Sequence, residues 1–372
     1  MATLTHPDAA LRDAVAQRLV VDDDLASAPA DRSLLRRAIA RALAAEGVVA
    51  APDRWARLVR DLVDELGGLG PVEALLRDPA VTDVMVNGPD EIWVERAGRL
   101  AATDVVFRDE AALVDALRRV LGPLAVRLDH AHPWADAVLP GGTRLHALLP
   151  PLVDKATVTL RRVPAVIPTW EELEALGSVP PDGRSVLIDL VRARRNILIV
   201  GPAGVGKTTI LARLLGDVGL DRVVIIEDTP ELQWPCRHAV HLHVRPPTPD
   251  GQGHVDAAAL LRNALRMRPD RLVVGEVRGR EVADMLQACN TGHAGSMATV
   301  HANGADDALV RLEGMALLAG IPLSAARAQL GSAIDAIVVL RRDRDGRRRL
   351  GEVAEVVPGH PRATVGLLWA AS

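Results

Sequence analysis

Between residues 7 and about 77 apolar and charged positions alternate at helical spacing, as in LLRRAIARALAAEG and RWARLVRDLVDELGGLG, and glycines stop each run. This period predicts a small helical region over residues 1–77. From Val81 the period shortens: VTDVMV, EIWVER and RLAATDVVF read as short strands joined by NGPD and AG turns. A helix from Asp109 to Leu121 follows, then the strand-like ADAVLP, TRLHALLP and ATVTLRRV, which makes residues 78–163 one small α/β domain. Residues 164–183, PAVIPTWEELEALGSVPPDG, carry four prolines and read as a linker around a short helix. From residue 184 the apolar runs NILIVG, RVVIIED, AVHLHV, RLVVGEV and MATVHA alternate with helical patterns. Strands buried on both faces need such runs, so a mainly parallel sheet with helices on both sides is expected over residues 184–372. The RDG at Arg344 to Gly346 is a hairpin signal between the last strands.

Composition narrows the class. At 372 residues and 49% hydrophobic content the chain holds two or three packed domains. A formal net charge of −4 excludes a wholly basic nucleic-acid binder. Lysine occurs only at Lys155 and Lys207, and arginine carries the rest of the positive charge, a skew that fits a GC-rich coding bias. Cys236 and Cys289 form no CxxC pair, so neither a zinc ribbon nor a disulfide framework is expected and a reducing cytoplasm fits. Asp8, Arg12 and Asp13 interrupt any export signal, and eighteen apolar residues run together nowhere, so membrane association is expected only through a surface or a partner.

One of the two lysines stands in GPAGVGKTT, residues Gly201, Pro202, Ala203, Gly204, Val205, Gly206, Lys207, Thr208 and Thr209. The segment matches G-x-x-x-x-G-K-[ST] directly after the apolar NILIV and before the helical TTILARLLG. Glycines let backbone N–H groups curl toward phosphate oxygens, and a helix N-terminus adds positive potential. The motif assigns Lys207 to the β and γ phosphates of a nucleotide and Thr208 to Mg²⁺.

Such a loop needs carboxylates for the metal and for the attacking water. RLVVGEVRG ends a strand at Glu276, where a carboxylate reaches Mg²⁺ or its water shell. RVVIIED ends in Glu227 and Asp228, with Glu231 following in EDTPEL. Three acids this close repel one another unless a cation offsets them. The reading gives Glu231 the water and Glu227 or Asp228 a supporting place at the metal. The stretch TGHAGSMATVHANG holds His293 and His301, too far apart for a shared helix face, which argues against a two-histidine zinc site. His301, at the end of MATVHA, is either a donor to the γ-phosphate or a hydrogen-bonded core histidine. His241 and His243 form an H-x-H that lacks further ligands at plausible spacing and reads as the exposed face of an edge strand.

Laid end to end, GPAGVGKTT, IEDTPEL, RLVVGEVRG and TGHAGSMATVHANG resemble, in order, the Walker A motif, aspartate box, atypical Walker B motif and histidine box of the secretion ATPase superfamily. LLRNALRMRPDRLVVGEVRGREVADMLQACNTGHAG is similar to the tight-adherence pilus (Tad/CpaF) branch and its conjugation-associated relatives, and VTDVMVNGPDEIWVERAGRL with TRLHALLPPL extends the likeness to residues 68–355. The resemblance implies a RecA-like P-loop ATPase domain preceded by a small α/β (PAS-like) domain, with ATP and Mg²⁺ as cofactors. It implies a homohexamer that works in the cytoplasm at the inner face of the membrane, with an inner-membrane platform protein as partner. By analogy Glu231 is the catalytic acid, Glu276 the Walker B acid and His301 the sensor, while Arg144 and Arg161 match the N-terminal-domain arginines that reach the phosphates. Val138 and Gly141 stand where the branch commonly carries Arg and Asp, and the tetracysteine insert of type II secretion and pilus-extension ATPases is absent, which favours the Tad or conjugation branch. Two competing readings are a nucleic-acid-translocating ring, for which aromatic stacking residues are scarce, and a ring subunit that binds nucleotide without hydrolysing it.

Overall fold

The computed structural model describes residues 9–20, 32–96, 98–162, 167–232, 236–245, 252–343, 345–359 and 361–371. The chain divides into two units, residues 1–163 and 164–372. In the first, helices α1 (Ala9–Val20), α2 (Arg32–Ala45) and α3 (Pro52–Gly67) share a core of their own. Leu35, Ala38, Ile39, Ala42 and Leu43 bury one stripe of α2, the spacing of an amphipathic helix. A short turn leads into α4 (Glu73–Leu76); Leu69 and Val72, which the periodicity assigns to the helical region, lie in the core of the sheet that follows.

That sheet comprises β1 (Val81–Asn87), β2 (Ile92–Arg96), β3 (Arg99–Ala102), β4 (Trp134–Val138), β5 (Arg144–Leu148) and β6 (Thr157–Arg161) in the order β3-β2-β1-β6-β5-β4, all antiparallel. Helix α5 (Glu110–Leu121) starts at Asp109, whose side chain accepts the Ala112 N–H at 2.7 Å, and buries Leu113, Ala116, Leu117 and Leu121 in the same core. Arg119 of α5 donates to the Glu65 and, at 2.9 Å, the Gly68 carbonyls, satisfying the C-terminal end of α3 and tying the helical layer to the sheet.

The second unit begins with α6 (Trp170–Ala175), held by a Thr169/Glu172 capping box. Trp170, Leu173 and Val179 are buried in this unit's core, so this part of the proline-rich stretch is built into it; residues 164–166 lie outside the described residues. Helix α7 (Pro181–Arg192), β7 (Ile197–Val200), α8 (Lys207–Leu215), β8 (Val223–Glu227), β9 (Ala239–His243), α9 (Ala257–Ala264), β10 (Arg271–Val274), α10 (Glu281–Asn290) and β11 (Met297–Val300) follow. Then come α11 (Ala305–Leu318), α12 (Leu323–Ala333), β12 (Ala336–Arg342), β13 (Arg348–Val357) and β14 (Thr364–Ala370). The strands form one sheet in the order β14-β13-β12-β7-β11-β10-β8-β9, parallel from β12 to β9, with β13 and β14 added antiparallel. Along these strands alternate residues enter two cores: Leu198, Val224 and Leu272 on one face, Ile197, Ile225 and Val273 on the other. Both faces are covered, which is why the runs are continuously apolar. The β12–β13 hairpin turn is braced by Asp343, which accepts the Asp345 and Arg347 N–H groups at 3.0 and 2.8 Å; Arg344 lies outside the described residues.

Candidate nucleotide site

Parallel strands present their C-terminal ends at one edge, and in this sheet β7 gives the P-loop there, β11 His301, β10 Glu276 and β8 Glu227. The loop runs from buried β7 to α8 through Gly201, Gly204 and Gly206, all at positive φ (153°, 67° and 100°). A β-carbon on Gly201 would sit 2.6 Å from the Leu340 carbonyl oxygen, so only glycine lets the loop pass β12. Val205 anchors the loop in the core.

Lys207 is 8% exposed, and its ammonium group donates to the carbonyls of Gly201 and Pro202 at 3.0 Å each. Its third contact is His301 Nδ1 at 3.2 Å, and His301 Nε2 lies 2.8 Å from Glu276 Oε1. An ammonium only donates, so Nδ1 accepts and Nε2 carries the proton given to Glu276; the tautomer follows from this network. Burial lowers the Lys207 pKa, opposed by Glu276 and Glu231. Burial works against ionising Glu276, but Arg278, His301 and Lys207 outweigh it and hold its carboxyl below the usual range.

His301 is held below its ordinary value of 6.5, first by burial and then by Lys207, with Glu276 pulling the other way. The folded chain therefore binds this proton less readily than the unfolded one, and the stability it contributes is lost as pH falls below 6.5. In the chain free of nucleotide and metal, the His301 imidazole resonance is expected to titrate below 6.5 and to move upward in Lys207→Ala. A midpoint at or above 6.5 in the intact chain contradicts this network.

On the other side of the loop the Thr208 hydroxyl donates to Glu231 Oε2 at 3.0 Å. Arg278, to which the sequence reading gives no role, bridges two acids: Nη2 lies 2.5 Å from Glu276 Oε2 and Nη1 3.2 Å from Asp228 Oδ2. This guanidinium supplies the offset that the crowded acids require. Its sequence signal was its place two residues after Glu276 in GEVRG. Arg342, from the basic hairpin, donates to the Gly204 carbonyl at 3.1 Å and was likewise missed.

Glu227 keeps different company. It is 4% exposed, and its Oε1 accepts the N–H groups of Glu231 and Leu232 at 2.9 Å each, so it braces the aspartate-box loop. The two histidines of the TGHAGSMATVHANG stretch also separate: His293 Nδ1 lies 3.2 Å from the Ala288 carbonyl near the end of α10, while His301 reaches the P-loop. His241 and His243 lie on β9, which is an edge strand as expected, but a carboxylate that sequence spacing did not show stands near them. Parallel pairing sets Ile225 beside His241 and Glu227 beside His243, so this carboxylate comes from the neighbouring strand.

In the first unit Val138, Arg144, Arg161 and Asp83 lie in one row across β4, β5, β6 and β1. Arg161 Nε donates to Asp83 Oδ1 at 2.7 Å, which offsets part of the repulsion between the adjacent arginines. Gly141, at φ 93°, occupies the tight turn between β4 and β5.

The family model for type II/IV secretion system proteins matches residues 65–355. A putative conjugal transfer protein of Mycobacterium tuberculosis is 41% identical over 321 residues, covering 84% of this chain and 91% of that protein. The conjugal transfer protein TrbB of Rhizobium radiobacter is 35% identical over 297 residues, covering 78% and 88%. The X-ray structure of the Legionella pneumophila ATPase DotB shares the fold, with a TM-score of 0.54 at 22% identity over 78% of this chain and 82% of that one. The four motifs in order, the P-loop at the edge of a parallel sheet and these matches agree: the chain belongs to the type II/IV secretion system protein family.

Proposed function

We propose that this chain is a Mg²⁺-dependent ATPase of RecA-like architecture, working as a homohexameric ring. In this reading its nucleotide cycle powers assembly of a Tad or type IV-like pilus, or secretion, through a platform protein at the inner face of the cytoplasmic membrane. The observation that carries this reading is the convergence of Lys207, Thr208, Glu231, Glu276, Arg278 and His301 in two hydrogen-bonded clusters beside one P-loop.

The residues fit both cofactors. The loop passes through Gly204 and Gly206, both at positive φ, into the N-terminus of α8, which favours an anion. The hydroxyl of Thr208 and the carboxylates of Glu276 and Asp228 are the hard oxygen donors Mg²⁺ takes, directly or through water. Magnesium, when bound, neutralises phosphate charge as a Lewis acid. Lys207 exchanges the Gly201 and Pro202 carbonyls for phosphate oxygens, gaining a charged acceptor for neutral ones. Glu231 exchanges the Thr208 hydroxyl for the attacking water and takes its proton. His301 couples the lysine to Glu276, so a change at the γ-phosphate is felt by both. In this reading Arg144 and Arg161 of the small PAS-like domain supply positive charge for the phosphates.

Phosphate release by the full chain is the test, followed with Mg²⁺, with EDTA, and with DNA added, beside the mass of the particle by light scattering. Magnesium-dependent release from a six-chain particle is expected. Release only in the presence of DNA moves the assignment to a nucleic-acid motor, and tight ATP binding without release moves it to a non-catalytic ring subunit.

A further inference from the structure

The edge of the sheet away from the P-loop carries a second constellation. His241 and His243 project from one face of β9, with rings stacked at a centroid distance of 6.3 Å. Glu227 stands on the adjacent parallel strand β8, and one ligand atom from each of the three side chains lies within 4.8 Å of the others. The Glu227 carboxylate is half satisfied. Oε1 takes two backbone N–H groups of the aspartate-box loop, while Oε2 is buried and, among the described residues, has no hydrogen-bond partner. His241 Nδ1 lies 3.7 Å from Oε2, beyond hydrogen-bonding distance.

A buried polar oxygen left unpaired costs free energy unless something else meets it. We infer that a divalent transition metal does: Glu227, His241 and His243 form a His₂Glu site of the zinc class. Tetrahedral coordination at zinc–nitrogen and zinc–oxygen lengths near 2.1 Å places ligand atoms about 3.4 Å apart. The 3.7 Å between Glu227 and His241 is close to that spacing, and the half-buried His241 and exposed His243 can rotate to close the rest. Two imidazoles with one carboxylate suit zinc and its first-row neighbours, whereas Mg²⁺ prefers oxygen throughout. The two N–H bonds to Oε1 orient the carboxylate, as outer partners do for metal-bound acids. Three protein ligands leave a fourth position open to water. In the sheet β10 and β11 lie between β7 and β8, the strand that carries Glu227, and the two imidazoles stand one strand further out on β9, so the ligand set differs from the oxygen donors proposed for magnesium beside Thr208. Glu227 also holds the Glu231 N–H, so the metal would clamp the base of the loop that carries Glu231.

The test uses the untagged full chain stripped with EDTA and titrated with zinc chloride against a chromophoric chelator, with X-ray absorption at the zinc edge. One zinc per chain is expected, with two imidazoles in its shell. His243→Ala, at an exposed position, and Glu227→Gln, which keeps the shape of the acceptor, should each weaken zinc by at least the roughly 10–100-fold that loss of even an outer-shell partner costs. Thr208→Ala should leave zinc affinity unchanged. Absence of stoichiometric zinc, undiminished affinity in His243→Ala, an all-oxygen shell, or loss of zinc in Thr208→Ala each overturns the assignment.

Discussion

Replacing Lys207 by alanine is expected to lower kcat for ATP hydrolysis by about 10²–10³-fold, the scale of losing one preorganised charge at a transition state. All three ammonium protons are already placed, two on loop carbonyls and one on His301, so the lysine is held beside the phosphate cradle before nucleotide arrives. Burial has lowered its pKa, which means that solvent compensates its charge poorly and an incoming phosphate gains more from it. The substitution also removes the cation that Glu276 and Glu231 face, so the acids repel the phosphate where they had been balanced. Lys207→Arg should not rescue turnover, because a planar guanidinium cannot take the place of a compact ammonium on a buried side chain. Denaturant unfolding should show both variants folded, since the carbonyls freed at Gly201 and Pro202 lie at a loop. Steady-state phosphate release at saturating ATP is the measurement, and a kcat near that of the intact chain in Lys207→Ala removes this loop from catalysis.

Glu231→Gln should separate binding from chemistry. Glutamine preserves the shape that meets the Thr208 hydroxyl and the backbone N–H given to Glu227, so nucleotide affinity should hold within about the threefold that one weakened hydrogen bond changes. It cannot accept a proton, so kcat should fall by about 10²–10⁴-fold, the range of a general base. Glu276→Gln is the comparison. That carboxylate is tied to His301 and Arg278, so its loss should act on the magnesium dependence as well as on kcat. Should Glu231→Gln turn over at the rate of the intact chain while Glu276→Gln does not, the proton passes to Glu276.

Several of these partners could be named from the linear chain and several could not. The P-loop was legible because one contiguous segment holds its glycines, lysine and threonine between an apolar run and a helical one. Glu276 and His301 were legible as residues just beyond buried strands. Their bond to each other was not, because it depends on β10 and β11 being neighbours with β11 beside β7. Arg278 lay inside a quoted motif, yet nothing local says that its guanidinium turns back to bridge Glu276 and Asp228. Arg342 is 138 residues from the loop it touches, a separation that no local pattern bridges.

Where the strands and helices run, that the second unit's strands are buried on both faces, and that a G-x-x-x-x-G-K-[ST] loop with acids at strand ends follows β7 can all be read along the chain. Those properties follow from short-range periodicity and from residue chemistry within a few positions. Which carboxylate meets Thr208, which histidine meets Lys207, and that Glu227 faces His241 and His243 across a strand boundary come from the assembled fold. Strand order and register set those meetings, and they arise from pairings between segments far apart in the chain, which local hydrophobic pattern does not encode.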